Sequence, residues 1–343
     1  MDARPGFNSR RLVELMRTTI ERCQLDLNGS VVLTEAATGA YVVTPIVAAM
    51  AGADQVFAVT RSSKYGSIEQ VCEQTHQLAA LAGVSNRIKI VTRKTREIVA
   101  SADIITNSGH LRPIDGEIVS WMKPVAVIPL MYEAWELRPD DVDVAACRRH
   151  GIRLAGTNER HPELDVFSYL GVTAIKLLLD AGVAVYRSRI LVLCDNSFAD
   201  YIKSGLVGVG AQVDLHTQLT EAATSTGVKY DAVLVALQPG IESVLGVEET
   251  EIIGKLWPGA VVAQFWGDLD RNTLATVGLS VWPAEPPAAG HMGILLSELG
   301  PEPIVRLQTG GLKVGEILSN FGNSGPVDLE YCQFLDDQPE LKS

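Results

Sequence analysis

Short apolar runs alternate with amphipathic segments along most of the chain. In the first half, six apolar runs predict strands at residues 30–34, 55–60, 88–92, 103–106, 125–130 and 152–155. Segments with helical periodicity lie between them, at 67–82, 95–100, 116–122 and 140–150. This alternation is typical of a parallel sheet covered by helices on both faces. We therefore predict a Rossmann-like α/β domain over residues 29–160.

The same alternation returns in the second half. Five further strands are predicted at residues 190–194, 212–216, 231–237, 260–265 and 279–282. Helices are predicted between them at 198–208, 248–256 and 270–276. These elements predict a second Rossmann-like domain over residues 187–300. The expected fold class is α/β, with two Rossmann-like, doubly wound parallel-sheet domains and a cleft between them.

Three segments lie outside the two predicted domains. Residues 1–28 contain an amphipathic helix suited to packing or dimerisation, and residues 161–186 contain a mostly apolar helix, Leu164–Ala181, expected to cross between the domains. Residues 301–343 are predicted as a helix from 303 to 321, interrupted by Gly310-Gly311, followed by an acidic, frayed tail from residue 336.

Composition narrows the classes of function. The chain has 343 residues, 47% of them hydrophobic, and a net charge of −12, which argues against a nucleic-acid partner because phosphate binding needs a basic surface. Five scattered cysteines without a CxxC pair, no long apolar span and no signal-like N-terminus predict a cytoplasmic protein that does not bind a membrane. The six histidines have no metal-ligand spacing, so no metal is expected. We expect a homodimer with a small-molecule ligand.

The stretch 188–216 has the layout that opens a dinucleotide-binding unit, a strand, a tight turn, a helix and a second strand. The glycine positions of the GxGxxG fingerprint are occupied by Cys194, Asn196 and Ala199. Asn tolerates the positive φ that such a turn uses, and Ala is accepted in the third position. Asp195 adds a negative charge where the pyrophosphate would lie. The sequence therefore predicts the fold of a dinucleotide-binding unit more strongly than it predicts a bound dinucleotide.

Two further positions bear on dinucleotide binding in the second half. An acid that holds the ribose is expected at the end of the second strand, but the chain has His216-Thr217 there. Gln238 follows the strand at 231–237 and is a candidate cofactor contact.

The first half offers another candidate cofactor site. The turn after the strand at 30–34 contains Thr38 and Gly39, and the second strand ends at Arg61, Ser63 and Lys64, a basic cluster suited to the 2′-phosphate of NADP. A solvated surface turn is the alternative. The same order of elements is compatible with a methyltransferase that uses S-adenosylmethionine, but Arg61 replaces the acid such a domain would carry.

The second half also carries a family resemblance over residues 140–315. The segments LVALQPG, IIGKLWPGAVVAQFWGDLDRNTLATVGLSVW and VWPAEPPAAGHMG resemble, in order and pattern, the nucleotide-binding domain of the D-2-hydroxyacid dehydrogenases, which include formate and phosphoglycerate dehydrogenases. The resemblance implies NAD or NADP as cofactor, His291 as the acid/base residue and Glu285 as its orienting partner. The position of the family's substrate-binding Arg is occupied by Trp266.

Strand ends give the remaining candidates, because ligands of open α/β sheets bind at the carboxyl ends of the strands. In the first half His110 is a candidate catalytic residue. The candidate substrate-binding residues are Asn107, Glu133, Asn158, Glu159 and Trp266.

Two functions from different classes follow. The first is a divergent NAD(P)-dependent oxidoreductase that acts on a small polar metabolite in the interdomain cleft. The alternative is a non-redox enzyme or small-molecule-binding protein on the same scaffold that has lost dinucleotide binding.

Overall fold

The computed structural model describes residues 4–224, 227–322 and 324–335. The chain forms two compact units. Unit 1 comprises Met1–Val166 together with Gly300–Ser343, and unit 2 is Phe167–Leu299. The N-terminal and C-terminal helices, predicted as separate segments, therefore belong to unit 1. The tail from residue 336 lies outside the described residues.

Unit 1 is built on a seven-stranded sheet. In chain order its strands are β1 (Val31–Glu35), β2 (Gln55–Val59), β3 (Ile88–Val91), β4 (Ile104–Ile105), β5 (Val127–Pro129), β6 (Arg153–Thr157) and, near the C-terminus, β12 (Cys332–Phe334). The strand order is β12-β6-β5-β4-β1-β2-β3, and every pair is parallel except β12 on β6. The order reverses between β1 and β4, so this is the switch point of unit 1.

The helices of unit 1 follow the predicted periodicity closely. They are α1 (Ser9–Cys23), α2 (Val43–Met50), α3 (Ile68–Ala82), α4 (Arg96–Ser101), α5 (Gly116–Trp121), α6 (Val144–His150), α12 (Glu302–Ser319) and α13 (Pro326–Leu329). Local signals fix their ends. For α3, Ser67 and Gln70 form a reciprocal capping box, and Gly83 ends the helix with a φ of 74°.

Helix α12 is continuous through Gly310-Gly311, so the predicted interruption is wrong. A Cβ at Gly310 would lie 2.4 Å from Leu164 Cδ1, and one at Gly311 would lie 2.4 Å from Met131 Sδ. The two glycines therefore let the buried helix approach its neighbours closely. They serve packing rather than a break in the helix.

Unit 2 has a five-stranded, all-parallel sheet. Its strands are β7 (Arg189–Leu193), β8 (Gln212–His216), β9 (Ala232–Ala236), β10 (Val261–Trp266) and β11 (Ser280–Trp282). The strand order is β11-β10-β9-β7-β8, which places the switch point between β7 and β9. Its helices are α7 (Tyr169–Asp180), α8 (Ala199–Gly208), α9 (Leu219–Ala223), α10 (Val247–Leu256) and α11 (Arg271–Thr276).

The predicted helix Leu164–Ala181 is shorter in the structure. Leu164 is buried in unit 1, and Asp165 has a φ of 49°, which an α-helix does not allow. Helix α7 begins only at Tyr169 and packs on α8 within unit 2. There a Cβ at Gly171 would lie 2.7 Å from the carbonyl oxygen of Tyr201, so the two backbones touch.

Two units, each built on a sheet that is parallel apart from the β12–β6 pair, confirm the predicted α/β class with two Rossmann-like sheets. Across the described ranges, no helix has both the length and the apolar character needed to cross a membrane.

Candidate functional site

The switch point of unit 2 is bridged by two side chains from the turn after β7. Asp195 Oδ1 accepts a hydrogen bond from the backbone N–H of Gln238, with 2.9 Å between the two atoms. Asn196 Nδ2 donates to the carbonyl oxygen of Ala236 at 2.7 Å and to Asp195 Oδ1 at 3.0 Å. The crevice in which a dinucleotide places its pyrophosphate is therefore spanned by the chain's own groups.

The N-terminus of α8 is occupied by the same turn. Phe198 N donates to Asn196 Oδ1 at 3.1 Å, and Ala199 N donates to the Asn196 carbonyl oxygen at 3.3 Å. In dinucleotide-binding units, free backbone N–H groups at this position bind a phosphate. Asn196 instead forms a local turn that leads into the helix, which begins at Ala199. Cys194, in the first glycine position, is buried, and its Sγ lies 3.4 Å from Asn196 Oδ1.

Trp266 is largely buried in unit 2, with 7% of its surface exposed. Its ring packs on Phe198 with 5.0 Å between centroids, and its Nε1 donates to the carbonyl oxygen of Gly290 at 3.1 Å. Trp266 therefore holds the turn after β7 and the loop around residue 290 together.

The proposed acid/base pair lies on that loop. His291 is half-buried, with Nδ1 lying 3.1 Å from the Ala289 carbonyl oxygen, whereas Glu285 is exposed. The charge of Glu285 acts on Arg271, whose guanidinium donates to Gln264 and to the carbonyl oxygens of Pro283 and Ala284. Arg271 therefore fixes the loop that follows β11.

Unit 2 also has an open pocket of about 400 Å³ between the ends of β7 and β8. It is lined by Cys194, Asp195, Asn196, Ala199, Leu215, His216, Thr217 and Glu221. Glu221 Oε2 lies 3.3 Å from His216 Nδ1, so the pocket contains a carboxylate that the sequence analysis missed. The dinucleotide-binding pattern places its acid at the end of the second strand. Glu221 lies on α9, five residues after that strand end, so the pattern does not identify it.

The switch point of unit 1 contains a carboxylate in the corresponding place. Glu35, the last residue of β1, is 7% exposed, and its Oε2 accepts a hydrogen bond from the backbone N–H of His110 at 3.0 Å. Burial raises the pKa of Glu35, while the His110 N–H and the charges of Arg112 and Arg61 act in the opposite direction. His110 itself is half-buried, and its pKa is lowered by burial and by Arg61.

The candidate cofactor turn of unit 1 lies beside this carboxylate. Gly39 has a φ of 66°, and Thr38 Oγ1 donates to the Tyr65 carbonyl oxygen at 3.0 Å. Arg61 and Ser63 are exposed on the neighbouring loop. The positive charge of Arg61 acts to lower the pKa of the Glu35 carboxyl. The basic residue predicted to bind a 2′-phosphate therefore already interacts with an acidic group.

Glu133 is fully buried and is the anchor of the loops beyond β5 and β6. Its carboxylate accepts hydrogen bonds from Trp135 Nε1 at 2.6 Å, Arg160 Nη2 at 3.1 Å and Gln333 Nε2 at 3.0 Å. The backbone N–H of Glu159 also donates to it. Burial raises its pKa, and the Arg160 charge opposes that rise. With four donors, Glu133 positions its neighbours.

Glu136 and Glu159 lie next to Glu133. Glu159 is 9% exposed, and its pKa is raised well above its ordinary value by burial and by the charges of Glu136 and Glu133. Glu136 is exposed, yet the protein around its carboxyl group raises its pKa. The negative charge of Glu133 also raises the pKa of Glu136. The pKa of Tyr41 is raised to about 12 by burial and then by the charges of Glu35, Glu159 and Glu136.

Two buried donors in the loop after β4 lack hydrogen-bond partners. Asn107 is 1% exposed, its Oδ1 accepts from Met131 N at 2.8 Å, and its Nδ2 is buried without a hydrogen bond. Arg112 Nη1 lies 3.3 Å from Asp141, while Arg112 Nε is buried and unbonded. Unmet buried donors are costly, so both groups reduce the stability of this loop.

Asn158 has structural partners. Its Nδ2 donates to the Glu330 carbonyl oxygen at 2.8 Å, and its Oδ1 accepts from Arg160 N at 3.2 Å. It therefore ties the loop after β6 to the segment before β12. We name the unit 1 cluster of Glu35, Tyr41, Asn107, Arg112, Glu136 and Glu159 the carboxyl cluster.

Sequence reasoning selected Asn107 and Glu159 of this cluster and missed Tyr41, Arg112 and Glu136. These three lie several residues beyond a strand end, where the strand-end rule does not reach. Within the described ranges, no group of three or more His, Cys, Asp and Glu side chains is placed to hold a metal ion.

Comparison with known proteins places the fold. No protein-family model matches the sequence, and no curated protein matches it. Among solved structures, a chain of dipicolinate synthase from Bacillus halodurans is similar with a TM-score of 0.52 and 10% identity, covering 88% of this chain and 100% of that one. The corresponding dipicolinate synthase structure from Bacillus subtilis gives 0.51 and 11%, with 87% and 97% covered.

These similarities concern the fold alone, because the sequence identities are so low. The two solved structures agree with the predicted α/β fold, and the resemblance of the sequence to the D-2-hydroxyacid dehydrogenase group is one of fold. The roles predicted for individual residues, the homodimer and the cytoplasmic location stay predictions.

Proposed function

We propose that this protein binds and transforms a small polar metabolite at the carboxyl cluster of unit 1, without a dinucleotide at either switch point. The observation that carries the proposal is that each switch point holds an internal carboxylate on a backbone N–H. These contacts are Asp195 with Gln238 in unit 2 and Glu35 with His110 in unit 1. A pyrophosphate would have to displace both carboxyl groups and break their hydrogen bonds.

The cluster supplies the groups that acid–base chemistry needs. Glu159 and Glu136 have raised pKa values, so each can hold a proton at a pH where an ordinary carboxyl has lost it. General acid–base catalysis is most effective when the catalytic pKa lies near the working pH. Glu133 donates its backbone N–H to Glu136 and accepts a hydrogen bond from the backbone of Glu159, and the charges of both residues raise the pKa of Tyr41.

Nicotinamide-dependent oxidoreduction is the second candidate, and one observation favours it. The open pocket of unit 2 lies where a dinucleotide places its adenosine ribose, and Glu221 provides a carboxylate there. On this scaffold NAD or NADP would bind beside β7, with Glu221 near the ribose hydroxyls. The turn at Asp195-Asn196 fits the pyrophosphate poorly, so we derive no step through the cofactor.

A thermal-shift measurement on the full chain distinguishes the two candidates. NAD, NADP and S-adenosylmethionine are added separately at millimolar concentration, where a Kd one-hundredth of that would stabilise the native state by about 2.7 kcal/mol. We expect no change in melting temperature with any of them. A rise with either nicotinamide cofactor supports the oxidoreductase and overturns the dinucleotide-free function.

Asp195→Ala and Glu221→Gln then locate any binding that is found. Binding that is lost in Glu221→Gln places the cofactor in the pocket of unit 2. Arg61→Ala tests the other predicted position, because selective loss of NADP binding would place a 2′-phosphate in unit 1.

A further inference from the structure

The open pocket of unit 2 lies between two adjacent segments, the turn after β7 and the segment after β8. A hydrogen bond from Cys194 N to the His216 carbonyl oxygen, 2.9 Å long, joins these two segments. Asp195 and Ala199 line the pocket from the first segment, and His216 and Glu221 line it from the second. Its volume of about 400 Å³ lies in the range of small-molecule sites in proteins. One cavity therefore presents side chains of both segments to one ligand.

The segment after β8 presents two hydrogen-bond acceptors. Glu221 Oε2 lies 3.3 Å from His216 Nδ1. An ionised carboxylate has no proton to donate, so the proton between the two atoms is on Nδ1, and Nε2 of the neutral ring is an acceptor. No group in the described part of the chain bonds to Glu221 Oε1 or to His216 Nε2. Two neighbouring acceptors match a ligand with two adjacent hydroxyl groups, each of which donates one hydrogen bond.

The turn after β7 gives the pocket a negative charge beside the switch point. Asp195 is exposed, and its Oδ1 accepts from Gln238 N and Asn196 Nδ2. A phosphate ester in the pocket would place its own negative charge next to this carboxylate. A substituent that extends from the pocket across the switch point also meets the hydrogen bond between Asn196 Nδ2 and the Ala236 carbonyl oxygen. The turn therefore favours an uncharged ligand that ends at this side of the pocket.

The pocket also has an apolar surface. Leu215, Ala199 and the buried Cys194 contribute to it. A flat aromatic base gains free energy by leaving water for such a surface, whereas a simple sugar or a small amine has no group that uses it. Thr217 adds a hydroxyl group that can donate to or accept from a polar atom of the base. An aromatic plane, a vicinal diol and no charge together describe a nucleoside.

We propose that the pocket of unit 2 binds a ribonucleoside with an unsubstituted 5′ hydroxyl group, with its 2′ and 3′ hydroxyl groups on Glu221 and His216. Asp195 excludes the corresponding nucleotides. The proposal goes beyond the proposed function, because it concerns unit 2 and uses no residue of the carboxyl cluster. NAD, NADP and S-adenosylmethionine all carry a substituent at the 5′ position, so the turn after β7 excludes them as well.

The test is a thermal-shift panel on the full chain. The probes are adenosine, guanosine, cytidine and uridine, each compared with its 2′-deoxynucleoside and its 5′-monophosphate, and putrescine is the cationic comparison. We expect at least one ribonucleoside to raise the melting temperature by mass action. Its 2′-deoxynucleoside and its monophosphate are expected to bind about tenfold more weakly or less, because one loses a hydrogen bond to a charged group and the other meets a like charge.

Two variants at exposed side chains assign the roles of the two carboxylates. Glu221→Gln keeps the size of the side chain and removes one acceptor and the charge, so we expect about tenfold weaker binding of the active ribonucleoside. Asp195→Asn keeps an acceptor for Gln238 N and removes the charge, so ribonucleoside binding should stay and monophosphate binding should increase about tenfold. Glu251→Gln, at an exposed acid on α10, is the matched control and should bind as wild type does.

A panel in which no ribonucleoside raises the melting temperature overturns the proposal, and so does an equal effect of putrescine. A 2′-deoxynucleoside that binds as tightly as its ribonucleoside contradicts the role of the diol. Equal binding of the monophosphate by wild type contradicts exclusion by Asp195. Unchanged ribonucleoside binding in Glu221→Gln would place the ligand outside this pocket and would overturn the assignment.

Discussion

Asp195 and Gln238 are joined across the switch point of unit 2 by a hydrogen bond from backbone nitrogen to carboxylate, 2.9 Å long. Glu35 and His110 repeat the relationship in unit 1 at 3.0 Å. In both cases the acid comes at the end of the first strand of its sheet, and the N–H belongs to the loop after the strand across the switch point. Each unit therefore carries an internal carboxyl group near the place where this fold binds a phosphate.

Replacing Asn196 by Ala is expected to destabilise the protein by about 2 kcal/mol. The substitution removes the donor to the Ala236 carbonyl oxygen and the acceptor for Phe198 N, so both backbone groups lose a hydrogen bond. Chemical denaturation of wild type and variant measures the difference. Asn272→Ala, at an exposed position in α11, is the matched control and should change stability by less than about 0.5 kcal/mol. Equal effects of the two variants would contradict the bridging role of Asn196.

Glu133→Gln is expected to lower the free energy of unfolding by about 2 kcal/mol. An amide in place of the carboxylate brings an NH₂ group against donors from Trp135, Arg160 and Gln333, and removes the charge that faces Arg160. The measurement is denaturant unfolding with Glu21→Gln as the control. A loss of ligand binding with unchanged stability would instead make Glu133 a ligand contact, contrary to its four internal donors.

Gly310→Ala tests the close packing of α12. The new methyl group would lie 2.4 Å from Leu164 Cδ1 inside a well-packed core, and we expect a loss of about 1–3 kcal/mol. Gly208→Ala at the end of α8 has no heavy atom within 4 Å of the new Cβ and should be neutral or stabilising by about 0.5 kcal/mol. Stabilisation by both substitutions would contradict the packing role of Gly310.

The pH dependence of stability is expected to differ between wild type and Glu159→Gln. Burial and the charges of Glu136 and Glu133 raise the folded-state pKa of Glu159 above its ordinary value of 4.5, against the lowering effect of Arg160. The folded state then binds more protons than the unfolded state, so this carboxyl lowers stability as the pH rises from 4.5 through the raised value.

Glu159→Gln removes that contribution, so its free energy of unfolding relative to wild type should increase with pH in this range, by at most about 1.4 kcal/mol per pH unit. Unfolding curves at several pH values measure the difference between the two proteins. A difference that stays constant with pH would contradict the raised pKa of Glu159.

The fold was largely predictable because its strands are buried on both faces. Runs such as SVVLT and DAVLVAL have few alternatives to a central parallel strand. The predictions of secondary structure are wrong where contacts between residues distant in sequence override the local pattern. From the sequence alone, the two adjacent glycines of α12 predict a break in the helix. In the structure the helix continues, and Leu164 and Met131 occupy the space that side chains at the two positions would fill. The three-residue strand β12 was missed because it has no pattern of its own and pairs with distant β6.

The site was predictable only where residues follow strand ends directly. Asn107 and Glu159 were selected for that reason, and Asp195 was identified as a charge in a phosphate position. Tyr41 and Arg112 lie later in their loops, and only the folded chain brings them to the carboxyls of Glu35 and Glu136. The roles of Glu133 and Asn158 as internal anchors were hidden because one partner of each, Gln333 and Glu330 respectively, lies far away in sequence.

The most direct test of the central claim observes the backbone amides of Phe198, Ala199 and Gln238 during a titration. In ¹⁵N-labelled protein, their TROSY cross-peaks report on the groups that a pyrophosphate would contact in unit 2. Because Asp195 and Asn196 already occupy these N–H groups, we predict no saturable shift when NADH or NADPH is added to millimolar concentration. A saturable shift of these three amides would contradict the account and assign the turn to a dinucleotide.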